Sequence, residues 1–150
     1  MKHMLLIGLF LVLTACIPGT ATVDAPVAID NVVAADMSAS ADVDLLNLPP
    51  EVDVATVAAI QHRADVILLD VREPWEHDAV HIADTLLIPM NEVPQQLDAI
   101  PTDKTVIVYC RSGNRSGQIT NFLRQQGYAR VHNMRGGMIA WERARYPVEK

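Results

Sequence analysis

From residue 49 onward, apolar positions arrive in short continuous runs separated by stretches with helical spacing. Residues 66–70, 86–88 and 105–109 are the runs, and their length and β-branched content predict strands buried on both faces. Residues 130–134 supply a last strand. Between these strands, Asp53 caps a helix over 54–62, with Val54, Val57 and Ala58 forming its apolar stripe and Ile60 flanking it. Pro74 opens a helical turn through Ala79, and Asn91 caps a helix reaching about Ile100. Residues 116–126 carry Ile119, Phe122 and Leu123 at helical spacing before a stop at Gly127, and a final helix holds Met138, Ile139 and Trp141. Strands alternating with helices in this way predict an α/β domain with a parallel central sheet and helices on both faces. At 150 residues the chain has room for one such domain, over 49–150, burying about 60–70% of the unfolded surface.

The first 48 residues read differently. Lys2 and His3 precede an apolar run from Met4 to Leu13, too short to cross a bilayer as a helix and fitting the h-region of a secretory signal over 1–15. Residues 17–48 are dominated by Ala, Val and Asp without a lasting period, and read as a flexible acidic tether. That tether carries Asp24, Asp30, Asp36, Asp42 and Asp44 and no Lys or Arg. Setting those five and Lys2 aside from the 18 acidic and 12 basic residues leaves 13 against 11, so the net charge of −6 belongs mostly to the tether. Nothing in this balance points to nucleic acid.

The chemistry concentrates in Cys110-Arg111-Ser112-Gly113-Asn114-Arg115-Ser116, where the strand over 105–109 ends and a helix begins. Backbone N–H groups in such a turn converge, and the helix N-terminus adds partial positive charge. Arg111 and Arg115 strengthen the field, which suits a thiolate and an anionic substrate. In parallel sheets, ligands bind beyond the carboxyl ends of the strands, and both Cys110 and Asp70 stand at such ends. His62, His77 and His132 have no ligand-like spacing with each other or with Cys110, so no metal site is expected.

Leu13-Thr14-Ala15-Cys16 resembles the lipobox of bacterial lipoproteins. The resemblance implies cleavage before Cys16, lipid on its sulfur and acylation of its new amino group, which together anchor a protein stably where one chain would not. With Ile17 after the cysteine, the sorting rule of the resembled lipoproteins implies the outer membrane, with the periplasmic face as the default and the cell exterior as the alternative. An ordinary signal peptide followed by a chance cysteine is the alternative. With Cys16 lipidated, Cys110 is the remaining thiol of a two-cysteine chain, in an oxidising compartment where structural cysteines are normally paired. A solitary cysteine there points to reactivity, against the alternative of a small buried hydrophobe.

Three stretches resemble the single-domain rhodaneses, a family of sulfurtransferases. They are Asp70-Val71-Arg72-Glu73-Pro74-Trp75-Glu76-His77 continued by His81-Ile82, the cysteine loop itself, and Gly136-Gly137-Met138-Ile139-Ala140-Trp141. Where the family surrounds the histidine with glycine, proline and a second glycine, this chain has Val80, Ala83 and Asp84, and His77 replaces a commoner Tyr or Phe. Cysteine phosphatases place an arginine six residues after the cysteine, whereas here Arg115 falls at the fifth position and Ser116 at the sixth. Tyr109 replaces the histidine that precedes the phosphatase cysteine. The shorter loop resembles the rhodaneses that handle sulfur.

The resemblance implies a sulfurtransferase that moves a sulfane sulfur from a donor such as thiosulfate, through a Cys110 persulfide, to cyanide, a thiol or a protein acceptor. Arg111, Ser112, Gly113, Asn114, Arg115 and Ser116 would bind the substrate, and no metal or organic cofactor is implied. Asp70 and Arg72 are expected as a structural ion pair under the loop, and Glu76 with His81 as a hydrogen-bonded structural set. Met138 and Trp141 are expected in the core, and Trp75 in the core or on the rim of the site. The other readings are a non-enzymatic persulfide carrier for a protein partner, and a phosphatase-like or purely interacting domain, which the intact cysteine and shorter loop disfavour.

Overall fold

The computed structural model describes residues 43–150. The expected signal, Cys16 and most of the expected tether lie outside the described residues. Five parallel strands, β1 (Glu51–Val52), β2 (Val66–Asp70), β3 (Thr85–Leu87), β4 (Thr105–Tyr109) and β5 (Val131–Met134), form one sheet in the order β1-β5-β4-β2-β3. Its helices are α1 (Val54–Ile60), α2 (Pro74–Ala79), α3 (Asn114–Gln125) and α4 (Gly137–Arg143). The expected α/β class, with a parallel sheet between helices, is the one observed.

The continuous apolar runs of β2 and β4 follow from burial on both faces. Leu68, Ile107, Tyr109 and Met134 pack with Val57 and Ile60 of α1 and Met138 and Trp141 of α4. Their strand neighbours Leu69, Val106, Val108 and Val131 turn the other way, onto Ile119 and Leu123 of α3. Each fully buried side chain of this size contributes roughly 1.5–3 kcal/mol, so a polar residue on either face of β4 would be costly. β2 and β4 pair along their full length, Val66 opposite Thr105 through Asp70 opposite Tyr109, which brings their carboxyl ends side by side.

Several elements differ from expectation. α1 stops at Ile60, and Ile60 rather than Val54 or Ala58 joins Val57 in the fully buried core. The helix expected from Asn91 to about Ile100 is instead two short 3₁₀ turns, Val93–Gln95 and Leu97–Ala99. Pro94 supplies no backbone N–H to that window, and Pro101 holds Ile100 before it in an extended conformation that ends any helix there. The core also reaches back before Leu48. Leu45, in a 3₁₀ turn over Leu45–Asn47 that Asp44 caps through the Leu46 N–H (2.9 Å), is buried against α1 and α4. β1 is two residues long and shows no period, so its pairing with Asn133 and Met134 has no counterpart in the sequence pattern.

Asp84, where the resembled family carries glycine, has φ +56°, a left-handed conformation that aspartate tolerates better than most residues. No helix among the described residues is long and apolar enough to cross a membrane.

Candidate active site

Cys110 follows β4 directly, and α3 starts four residues later, so its sulfur lies where a buried strand end meets a helix N-terminus. The residue is only 1% exposed. Its Sγ accepts the Gly113 N–H at 3.1 Å and faces the Ser116 hydroxyl at 3.4 Å. Burial pushes the thiol pKa up, but the Ser116 hydroxyl and the backbone N–H groups of Ser116, Ser112 and Gly113 outweigh it, so the pKa falls below its ordinary value. The thiolate is therefore favoured by dipoles already fixed in the fold.

The two loop arginines play different parts. Arg115 is committed to Glu76 of α2 through hydrogen bonds of 2.7 and 2.8 Å, and is only partly exposed. Arg111 is exposed at the loop surface and, among the described residues, takes part in no ion pair. The loop amides lower the thiol pKa as expected, behind the Ser116 hydroxyl, whereas neither arginine is among the main causes; Arg115 also interacts with Cys110 but is held chiefly by Glu76. Ser112 and Asn114 are exposed, while Gly113 and Ser116 are buried.

Two elements hold the loop in place. At α4, the N–H groups of Met138 and Ile139 donate to the carbonyls of Cys110 (2.9 Å) and Arg111 (3.0 Å). This docking needs the adjacent glycines. Gly137 has φ +56°, and a Cβ there would overlap the Cys110 carbonyl oxygen and lie 2.7 Å from the Arg111 carbonyl. At β5, Asn133 accepts the Ser116 hydroxyl at 2.7 Å and donates to the Gly113 carbonyl at 3.2 Å. Sequence reasoning missed Asn133. The available signal was a polar amide within a strand that is buried throughout.

Asp70 and Arg72 do form a buried ion pair, with Arg72 Nη2 2.6 Å from Asp70 Oδ2. The rest of the guanidinium donates to the carbonyls of Glu76 (3.1 Å) and Val80 (2.9 Å), so the pair grips α2. It supports the loop at one remove, because α2 carries the Glu76 that holds Arg115. The expected pairing of Glu76 with His81 is not what forms. His81 lies past the end of α2, stacks on His77 with ring centroids 4.0 Å apart, and meets the Glu149 carboxylate at 3.3 Å. His77, in turn, reaches Asp70 at 3.1 Å through Nδ1.

A cleft of about 390 Å³ opens beside the loop between α2 and α4, walled by Trp75, Val80, Arg111, Met138 and Ile139. Trp75 is 71% exposed on its rim, while Met138 and Trp141 are core residues. A larger cavity of about 520 Å³ near Asp44, Glu51 and Arg135 includes no residue of the cysteine loop. Among the described residues, no group of three or more His, Cys, Asp or Glu is placed to hold a metal ion.

A parallel α/β domain with a cysteine in an amide-lined turn at the end of a central strand defines a class of thiol-dependent transferases and phosphatases, and comparison narrows it. The rhodanese-like domain family matches residues 53–144, and the chain belongs to that family. It is 49% identical over 84 residues to a sulfurtransferase of Allochromatium vinosum, covering 56% of this chain and 78% of that one. It is 29% identical over 96 residues to the thiosulfate sulfurtransferase GlpE of Tolumonas auensis, covering 64% of this chain and 90% of that one. A crystal structure of a rhodanese-related protein from Thermoplasma volcanium superposes with a TM-score of 0.62 at 31% identity, covering 67% of this chain and 98% of that one. At the level of the family, then, this is a rhodanese-type domain whose relatives include sulfurtransferases.

Proposed function

We propose that the protein transfers a sulfane sulfur from an anionic donor such as thiosulfate to a thiophilic acceptor, through a persulfide on Cys110. The observation that carries this reading is the Cys110 sulfur, buried at the end of β4 with the Gly113 N–H at 3.1 Å and the Ser116 hydroxyl at 3.4 Å, contacts that lower its pKa. Such a cradle stabilises a small anionic sulfur without rearranging. The loop also lacks an arginine at the sixth position, so phosphoryl charge would go uncompensated there.

In the first step the Cys110 thiolate attacks the outer sulfur of thiosulfate. An S–S bond to Sγ forms, the bond to the sulfonate sulfur breaks, and sulfite leaves with the electron pair. Arg111, exposed beside the loop, meets the sulfonate of the incoming donor. The negative charge then rests on the terminal sulfur, where the N–H groups of Ser112, Gly113 and Ser116 hold it. In the second step cyanide or a thiolate attacks that terminal sulfur. The Sγ–S bond breaks, its electron pair returns to Cys110, and thiocyanate or a new persulfide departs.

We further infer attachment through lipid on Cys16, at the outer membrane facing the periplasm, from the lipobox-like Leu13-Thr14-Ala15-Cys16. Metabolic labelling with a radioactive fatty acid, lost in Cys16→Ser, tests it.

The test of the activity is thiocyanate formation by the purified protein given thiosulfate and cyanide, with Cys110→Ser beside it and mass spectrometry of the donor-treated chain. Turnover and one added sulfur on the Cys110 peptide, both lost in the variant, are expected. Persulfide without turnover would instead mark a carrier that serves a protein acceptor. Neither signal from any sulfane donor, in folded and reduced protein, rules out sulfur transfer.

A further inference from the structure

Ser116 Oγ has a single proton and two acceptors, Asn133 Oδ1 at 2.7 Å and Cys110 Sγ at 3.4 Å. All three residues are at most 4% exposed. The amide of Asn133 is fixed in orientation from its other end, since Nδ2 donates to the Gly113 carbonyl (3.2 Å) and to Glu51 Oε1 of β1 (3.3 Å). Oδ1 is therefore the atom that must face Ser116, and it can only accept.

We propose that Asn133 is a positioning residue for sulfur transfer, acting as the alternative acceptor for the Ser116 hydroxyl proton and so setting how that hydroxyl divides between amide and sulfur. This rests on Cys110 being the reacting sulfur, as proposed above. With Cys110 as the thiol, S–H donates to Ser116 Oγ and Ser116 O–H donates to Asn133, so every buried group is satisfied. When the thiolate forms, its charge draws the Ser116 proton from Asn133 to Sγ, since hydrogen bonds to charged atoms are the stronger ones. Once the sulfur is transferred, charge moves to the outer atom of the persulfide and the proton swings back to Asn133. A single hydroxyl rotation thus follows the charge through both steps, with the Ser116 O–H bond itself intact throughout.

The test reads the acidity of Cys110 directly, by the pH dependence of its alkylation with iodoacetamide followed on the Cys110 peptide by mass spectrometry. This readout needs no turnover, so it can fail while sulfur transfer stands, and the converse. Asn133→Asp keeps the side-chain shape, offers a stronger acceptor for the Ser116 proton, loses the Nδ2 donations to Gly113 and Glu51, and adds a like charge. It should raise the alkylation midpoint by about one pH unit; the added charge acts in a Ser116→Ala background too, so the shift there should be smaller but not absent, and the difference is the part carried by the hydroxyl. Asn133→Ala, which adds no charge and removes the competing acceptor, is run through the same cycle in case the aspartate variant does not fold, and should lower the midpoint, an effect absent in the Ser116→Ala background. An unchanged midpoint in folded variants, or equal shifts with and without the Ser116 hydroxyl, overturns the proposal.

Discussion

Glu76 and Arg115, 39 residues apart in the chain, join α2 to the start of α3 by a paired carboxylate–guanidinium contact of 2.7 and 2.8 Å. The contact makes the first helical signature and the cysteine loop one mechanical unit. Asp70 holds Arg72, Arg72 holds the carbonyls of α2, and α2 presents Glu76 to the loop arginine. An arginine bound in this way ties the loop to α2, while Arg111 is exposed at the loop surface.

Glu76→Gln should therefore destabilise the fold. With the two side chains 11% and 30% exposed, the loss should fall between the surface and buried cases, about 1–2 kcal/mol, read from urea unfolding. The pH dependence carries a definite sign. The Arg115 hydrogen bond leads in lowering the folded pKa of Glu76 below its ordinary 4.5, against a burial that raises it. Its contribution is then fully present above about pH 4.5 and disappears as pH falls through the lower folded value. The stability gap between wild type and Glu76→Gln should accordingly be constant near neutrality and close in acid. A gap that widened on acidification would contradict the pairing.

The thiol makes a second pH prediction. Because hydrogen bonds overcome burial and lower the Cys110 pKa below 9.0, the thiolate should persist at pH values where an ordinary cysteine is protonated. The rate of persulfide formation from thiosulfate should rise with pH to a plateau, with its midpoint below pH 9.0 and a fall of about tenfold per unit on the acid side. Ser116→Ala removes the leading favourable contact and should move the rise to higher pH, with little change in the plateau. The same depressed pKa favours folding above the ordinary thiol value, and that contribution is lost as pH falls through the folded one. Rapid-quench mass spectrometry of the persulfide across pH reads the profile.

Much of this was legible in the chain because burial writes itself as pattern. β2 and β4 are apolar throughout since both faces are covered, and Cys110 was marked by polar neighbours that no core would take. The ion pair of Asp70 and Arg72 was legible from position alone. What could not be read depends on geometry across the sheet. Asn133 reaches Ser116 only because β5 lies beside β4, and Glu76 finds Arg115 rather than His81 only because α2 points toward the loop. The turns over 93–99 failed for a local reason, two prolines that outweighed a favourable cap and spacing.

Trp75 separates folding from substrate handling. A side chain 71% exposed contributes little to the core, so Trp75→Ala should leave the melting temperature within about 2 °C of wild type. Its ring walls the 390 Å³ cleft beside Arg111, a volume suited to a small organic molecule. Steady-state kinetics should then show KM raised several-fold for a bulky aromatic thiol acceptor and unchanged for cyanide, which needs no such wall. Equal effects on both acceptors would place the acceptor's path elsewhere.

Gly137 and Gly127 form a matched pair that isolates what the α4 junction does for the loop. Both have positive φ, +56° and +94°, so alanine at either incurs left-handed strain of about 1–2 kcal/mol. They differ in what surrounds them. A Cβ at Gly127 meets nothing within 4 Å, whereas at Gly137 it is forced into the backbone of Cys110 and Arg111. That backbone cannot move away cheaply, because its carbonyls are bonded to the Met138 and Ile139 N–H groups and it leads directly into Ser112 and Gly113, whose amides line the sulfur. Gly127→Ala should therefore lower the urea midpoint while keeping thiocyanate formation and persulfide yield at wild-type levels. Gly137→Ala should add an overpacking penalty, bringing the total to about 3 kcal/mol or more, and should abolish sulfur transfer even in the fraction that remains folded. Full activity in folded Gly137→Ala would mean that the docking of α4 does not set the geometry of the cysteine loop.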